Sequence, residues 1–199
     1  MSITPEEIIS EIRRNVSYYR EIVPAHHFEV LAKLKSRTPG FQGHAIQTSI
    51  KQLDYLGRGG MVFISGPVGV GKTVAAFVLA IAWSKTLGRS FLFTTSRDIL
   101  KNEFDKDKID FEKYSNLVII DDLGREFISE SNAWGTDVFE ALIDRSYSHK
   151  LPRIFTTNLT PDEIRERYGA RVYDRMRESA KWLTVAEPGG SLRGKEAAK

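Results

Sequence analysis

The chain has 199 residues, of which 41% are hydrophobic and 28% charged, and its formal net charge is +3. This composition is typical of a globular protein with one sizeable core, and no apolar run approaches the roughly 20 residues of a membrane-spanning helix. Disulfides and thiolate zinc sites are excluded because there are no cysteines. The first ten residues carry no signal-peptide pattern, so we expect a cytoplasmic protein with no membrane partner.

The first forty residues carry two helical patterns. Thr4, Pro5 and Glu7 form a helix start, because threonine can cap, proline suits the first helical position and the acid completes a capping box. Apolar residues recur at helical spacing until Pro24, and a shorter helical pattern follows. So short a segment buries little surface by itself. We therefore expect residues 1–40 to form an N-terminal helical extension that binds a partner, unless its helices pack on the remaining chain.

From residue 61 onward, strands alternate with helices. The predicted strands are 61–65, 91–95, 117–120, 153–157 and 182–186. A helix over 43–56 precedes the first strand, and the clearest helix between strands runs from Thr73 to Thr86. Such alternation predicts parallel strands with right-handed crossovers, which make residues 41–199 one α/β sandwich domain. Ligands of such sheets bind at the carboxyl ends of the strands.

The segment GPVGVGKT, residues 66–73, lies between the first predicted strand and the following helix. It fits G-x-x-x-x-G-K-[ST], a loop whose glycines let backbone N–H groups surround the phosphates of a nucleotide. Lys72 adds a positive charge at the β and γ phosphates, and Thr73 offers a hydroxyl to Mg²⁺. The predicted ATP-contacting residues are Gly66, Pro67, Val68, Gly69, Val70, Gly71, Lys72, Thr73 and Val74.

Two adjacent acids, Asp121 and Asp122, follow the apolar run of the third predicted strand. Neighbouring carboxylates at the end of a buried strand repel each other and lose hydration, so they need a nearby positive charge. Asp121, the first acid, is predicted to bind the Mg²⁺ that Thr73 also contacts. Asp122 is predicted to orient or deprotonate the attacking water, with a loop-shaping role as the alternative. Its short side chain favours slow hydrolysis.

Polar residues after the fourth strand complete the candidate site. Asn158 ends that strand and is predicted to polarise the γ-phosphate or the water, although asparagine also starts loops. Arg171 and Arg175 are four residues apart on a predicted helix and therefore share one face. On spacing alone, this face could be an ordinary solvated basic surface.

The segments GPVGVGKT, LVIIDDLG, FTTNL, GARVYDRMR and GGSLRGKE occur in this order. In order and spacing they resemble the AAA+ ATPase domain of bacterial replicative-helicase loaders of the DnaC/DnaI type, and the related transposition ATPase IstB. The resemblance covers about residues 41 to 197. It implies a P-loop three-layer αβα sandwich with parallel strand order 5-1-4-3-2, little or no lid domain, and ATP and Mg²⁺ as cofactors.

The resemblance also implies roles for three arginines. Arg175 matches the arginine finger that completes a neighbour's ATP site, which implies self-association through a shared site, and Arg171 is the next candidate. Arg193 matches a basic residue that senses nucleotide within its own subunit. Residues 96–115, which mix lysines with phenylalanines, would then face DNA or form an amphipathic surface helix.

The function that the resemblance implies is a slow, assembly-dependent ATPase that loads a replicative helicase onto single-stranded DNA in a bacterial cell, from a host or phage gene. The alternatives are a transposition ATPase that acts on target DNA and a small-molecule kinase. The paired acids, Asn158 and the arginines favour water over another acceptor, which argues against the kinase.

Overall fold

The computed structural model describes residues 3–34, 41–103, 117–125 and 134–185. The elements in chain order are α1 (Pro5–Arg14), α2 (Val16–Ile22), α3 (Ala25–Ala32), α4 (Phe41–Ile50), α5 (Leu53–Gly57), β1 (Met61–Ser65), α6 (Lys72–Leu87), β2 (Phe91–Thr95), α7 (Ser96–Glu103), β3 (Leu117–Leu123), α8 (Trp134–Ser148), β4 (Arg153–Thr157), α9 (Pro161–Tyr168), α10 (Ala170–Ser179) and β5 (Ala180–Thr184). None of the helices in these ranges is both long and apolar enough to cross a bilayer.

The five strands form one parallel sheet in the order β2-β3-β4-β1-β5. The strand order 5-1-4-3-2 that the resemblance implied is therefore confirmed. β4 lies between β3 and β1. Because all strands run in the same direction, the residues that follow β1, β3 and β4 meet at one edge of the sheet.

Side chains alternate across the sheet and bury both of its faces. One core includes Val62, Ile64, Ile119 and Ile154 and is covered by α1 to α6. The other core includes Phe63, Val118, Ile120 and Phe155 and is covered by α7 to α10. This three-layer αβα arrangement is the predicted sandwich.

The N-terminal helices pack on α6, which carries the first turn after the glycine-rich loop. α1, α3 and α4 all contact α6, which in turn contacts β1 to β4. The buried residues of the extension, among them Ile12, Tyr19 and Leu31, belong to the same core as α6. Of the two outcomes left open for the extension, the structure shows packing on the remaining chain for residues 3–34. Partner binding by this extension stays a prediction.

Several element boundaries differ from the sequence prediction, and β3, for example, runs to Leu123 instead of ending at residue 120. β5 spans Ala180–Thr184 rather than 182–186, because it pairs along the whole of β1, with Ala180 opposite Met61. The helix predicted over 43–56 is broken, and α4 and α5 are separated by a turn at residues 51–52. The predicted lack of a lid falls on residues 186–199, outside the described residues.

Candidate active site

The loop of residues 66–71 joins β1 to α6 and has a backbone that only glycine accepts at several positions. Gly69 and Gly71 have φ angles of 90° and 88°, in the left-handed region that L side chains rarely adopt. At Gly66, an added Cβ would lie 2.3 Å from the carbonyl oxygen of Val185. The loop therefore needs its glycines for its shape, as the motif predicted.

Lys72 is the first residue of α6, and its ammonium group turns back toward the loop. It is buried, and its Nζ donates hydrogen bonds to the carbonyl oxygens of Gly66 and Pro67, both at 2.8 Å. Nζ also donates to Oδ1 of Asn158 at 2.7 Å. The contact with Asn158 joins the end of β4 to the loop, so the two sequence-predicted residues do lie together.

Thr73 and Asp121 also meet, across α6 and β3. The Thr73 hydroxyl donates to Oδ1 of Asp121 at 2.9 Å, and the Thr156 hydroxyl donates to the same oxygen at 2.5 Å. Burial raises the pKa of Asp121 above its ordinary value, while the hydrogen bonds from Thr156 and Thr73 oppose that shift. A hydroxyl and a partly dehydrated carboxylate are oxygen donors of the kind that Mg²⁺ takes, so the predicted metal ligands fit that ion.

Asp122 has a different environment from Asp121. Its φ angle is 57°, and its carboxylate forms an ion pair with Arg125 at 3.2 Å. Its backbone is fixed on both sides, because its N–H donates to the Thr156 hydroxyl at 3.0 Å and its carbonyl accepts from Ser96 Oγ at 2.9 Å. The residue shapes the loop, and its predicted action on water stays a prediction.

Arg171 and Arg175 share one face of α10, as predicted, and that face packs on α8. Arg171 pairs with Glu140 at 2.8 Å and with Asp144 at 2.9 Å. Arg175 pairs through Nε with the other oxygen of Asp144, and its guanidinium lies 5.9 Å from the ring centroid of Tyr147. The structure brings the loop, the acids and Asn158 together, but these contacts hold both arginines against α8.

Sequence reasoning did not single out Thr156, although it contacts both acids. The sequence could have indicated it, because Thr156 lies two residues before Asn158. Side chains two residues apart along a strand point to the same side. The predicted nucleotide-sensing Arg193 lies outside the described residues, as do residues 104–116 of the segment that was expected to face DNA or solvent.

The fold and the site define a class of protein, the P-loop nucleotide-binding proteins of AAA+ architecture. The chain belongs to the family of IstB-like ATP-binding proteins, whose family model matches residues 3–196. The resemblance inferred from the five motif segments is therefore confirmed, and the match includes most of the N-terminal extension.

Similarity to individual proteins points to the same group. The chain is 25% identical over 126 residues to the "Replicative helicase loader DnaI" of Bacillus subtilis (strain 168). That match covers 60% of this chain and 40% of the relative, so the chain spans less than half the length of the curated relative.

Solved structures share the fold. A crystal structure of the DnaC helicase loader superposes with a TM-score of 0.65 at 23% identity, over 81% of this chain and 99% of that one. The DnaI crystal structure gives a TM-score of 0.59 at 19% identity, over 79% and 87%. The replication initiator DnaA bound to AMPPCP and single-stranded DNA gives 0.57 at 19% identity, over 74% and 46%.

Proposed function

We propose that this protein binds and slowly hydrolyses ATP with Mg²⁺, and that it acts in DNA replication as a loader that assembles with a replicative helicase and single-stranded DNA. The observation that carries the proposal is the joint placement of Thr73 against Asp121 and of Lys72 against Asn158. Together they place an ammonium, a hydroxyl and a carboxylate around one glycine loop. The protein would act in the cytoplasm of a bacterial cell.

Each residue of the site has a distinct task in this proposal. The backbone N–H groups of the loop and the start of α6 bind the phosphates, and Lys72 exchanges its carbonyl partners for phosphate oxygens. Thr73 and Asp121 would hold Mg²⁺, which would supply positive charge beside the β and γ phosphates. Asn158 accepts from Lys72 through Oδ1, which leaves its amide N–H groups to donate to the γ-phosphate or the water.

Turnover would need groups that the loop does not supply. Asp122 lies one residue beyond the Mg²⁺ ligand and would orient or deprotonate the water, as a shorter version of the glutamate common in such enzymes. Arg175 would stabilise the γ-phosphate of a neighbouring subunit in the transition state. The short side chain of Asp122 implies slow hydrolysis, and the role of Arg175 implies that hydrolysis depends on assembly.

The family match favours a second candidate, an IstB-like transposition ATPase that acts on target DNA. Both candidates use the same ATP site, so ATP binding and hydrolysis cannot separate them. They differ in the DNA that they bind, because a helicase loader acts on single strands and a target-marking ATPase acts on a duplex.

Binding of matched DNA probes would test the proposal. The probes are a labelled single strand and the duplex of the same sequence, each measured with Mg²⁺ and a non-hydrolysable ATP analogue. We expect tighter binding to the single strand, and co-elution of the protein with the ring-shaped replicative helicase encoded by the same genome. Preference for the duplex without helicase binding would contradict helicase loading and support the transposition candidate.

A further inference from the structure

The end of β3 departs from regular pairing where its two acids lie. Asp121 and Asp122 of β3 face a single residue of β4, Thr156, because the register shifts between Ile120 and Leu123. An extra residue of this kind is a β-bulge, and bulges next to active sites redirect side chains. Here the extra residue places two consecutive acids of β3 opposite one threonine of β4.

The Thr156 hydroxyl makes two hydrogen bonds, one as a donor and one as an acceptor. Its Oγ lies 2.5 Å from Oδ1 of Asp121 and 3.0 Å from the backbone nitrogen of Asp122. A backbone N–H can only donate, so the hydroxyl accepts there and its single proton goes to the carboxylate. Thr156 has no exposed surface, so its hydroxyl relies on these protein partners.

We propose that Thr156 is the positioning residue for both acids of the ATP site: one hydroxyl holds the Asp121 carboxylate toward Thr73 and fixes the backbone of Asp122. The inference rests on the proposed function, since it assigns Asp121 to Mg²⁺. The Thr73 hydroxyl donates to the same Asp121 oxygen at 2.9 Å, so the two threonines hold that oxygen from β4 and from α6. Outer-sphere partners of this kind orient metal ligands and are worth about 10–100-fold in metal affinity.

Asp122 needs this support because of its backbone. Its φ angle of 57° is uncommon for a residue other than glycine, although aspartate tolerates it better than most. The N–H bond to Thr156 and the carbonyl bond from Ser96 hold this conformation from both sides. Loss of the Thr156 hydroxyl would leave the Asp122 N–H without this partner and free the carboxylate of Asp122 to change direction.

The neighbouring residue provides a matched control. Thr157 lies on the same strand with no exposed surface, and its hydroxyl also makes two bonds, donating to Leu123 O at 2.7 Å and accepting from Leu159 N at 3.0 Å. Neither bond involves an acid of the site. Thr157→Val therefore removes the same chemical group and leaves both acids in place.

The test compares the parent, Thr156→Val, Thr157→Val and Thr156→Ser on the full chain. A fluorescent ATP analogue is titrated in EDTA and at increasing Mg²⁺, with turnover and melting temperature measured in parallel. We expect Thr156→Val to need about tenfold more Mg²⁺ for half-maximal tight binding and to lose turnover, while its affinity in EDTA matches that of the parent. Thr156→Ser should restore the parent's Mg²⁺ requirement, and Thr157→Val should keep it.

Equal Mg²⁺ requirements in Thr156→Val and Thr157→Val would overturn the inference. If the valine variant does not fold, Thr156→Ala against Thr156→Ser makes the same comparison, since both lack the methyl group and differ only in the hydroxyl. Asp121→Asn distinguishes a failure of the inference about Thr156 from a failure of the proposed function. If it leaves the Mg²⁺ requirement unchanged, the proposed function fails with the inference. If it changes the requirement and removal of the Thr156 hydroxyl does not, the inference alone fails.

Discussion

At the scale of single residues, we expect nucleotide binding to depend most on the buried ammonium of Lys72. Hydrogen bonds to charged groups are worth about 1.5–3 kcal/mol, which corresponds to roughly 10–150-fold in affinity. Lys72→Ala should therefore weaken ATP binding by at least about tenfold, as measured by calorimetric titration. Lys85→Ala is the control on the same helix, because Lys85 pairs with Glu11 at 3.3 Å. Parent-like ATP binding by Lys72→Ala would contradict the phosphate-loop assignment.

The two acids should separate binding from turnover. Asp121→Asn should remove the Mg²⁺-dependent part of nucleotide affinity, because an amide is a poor substitute for an anionic metal ligand. Asp122→Asn should bind Mg-ATP and not hydrolyse it, and it should keep its backbone, since asparagine also tolerates a positive φ. Asp122→Glu should raise the rate if side-chain length limits it. Equal losses of affinity in the two asparagine variants would be incompatible with separate roles.

The buried Asp121 should also cost stability in the protein without Mg²⁺. Burial raises the pKa of Asp121, so the folded state binds a proton more tightly than the unfolded state does. The free energy of unfolding therefore falls as the pH rises from the ordinary pKa of an aspartate through the raised pKa of the folded state. Asp121→Asn should therefore melt at a higher temperature than the parent at neutral pH. This difference should narrow as the pH falls toward the ordinary pKa of an aspartate, and should stop changing below it, where the carboxyl is protonated in both the folded and the unfolded state. A lower melting temperature than the parent at pH 7 would show that the ionised carboxylate is stabilising.

At the scale of elements, the N-terminal helices are part of the core. Tyr19 is 3% exposed and its neighbour Tyr18 is 44% exposed, both on α2. Tyr19→Ala should reduce the free energy of unfolding by about 2–5 kcal/mol, as large-to-small core substitutions do. Tyr18→Ala should change it by about 0.5 kcal/mol or less. Chemical denaturation of the two variants measures the difference, and equal effects would argue against this packing.

Deletion of residues 1–40 follows the same reasoning. Removal of α1 to α3 would expose the face of α6 that they cover, so we expect a drop of many degrees in melting temperature. This differs from the sequence-based expectation of an extension whose main role is to bind a partner. An unchanged melting temperature of the shortened chain would restore that expectation and leave residues 1–40 available for a partner.

Local patterns predicted elements well and contacts between distant elements poorly. The strands were found because β1, β3 and β4 are apolar runs buried on both faces, and the loop was found because glycine, lysine and threonine spacing is specific. The bulge opposite Thr156 was not found, because a one-residue register shift arises only when two distant strands pair. An amphipathic helix likewise indicates an apolar face without naming what covers it.

At the scale of the whole molecule, hydrolysis should depend on assembly through Arg175. Its contacts with Asp144 and Tyr147 hold it on α8, within its own chain. Arg175→Ala should bind ATP normally and hydrolyse it about 10³-fold more slowly, because an arginine supplied in trans stabilises the transition state of another subunit. Arg177→Ala, on a different side of α10, is the control. The parent's activity per subunit should rise with protein concentration.

The most direct test of the shared ATP site is ATP hydrolysis by a mixture of Arg175→Ala and Lys72→Ala. The first variant has an intact loop without the arginine, and the second has the arginine without a working loop. Each variant alone should be nearly inactive at every concentration. If subunits complete one another's sites, mixed assemblies will recover part of the parent's activity. No recovery on mixing, or parent-like hydrolysis by Arg175→Ala alone, would contradict a site shared through Arg175, and Arg171 would be tested next.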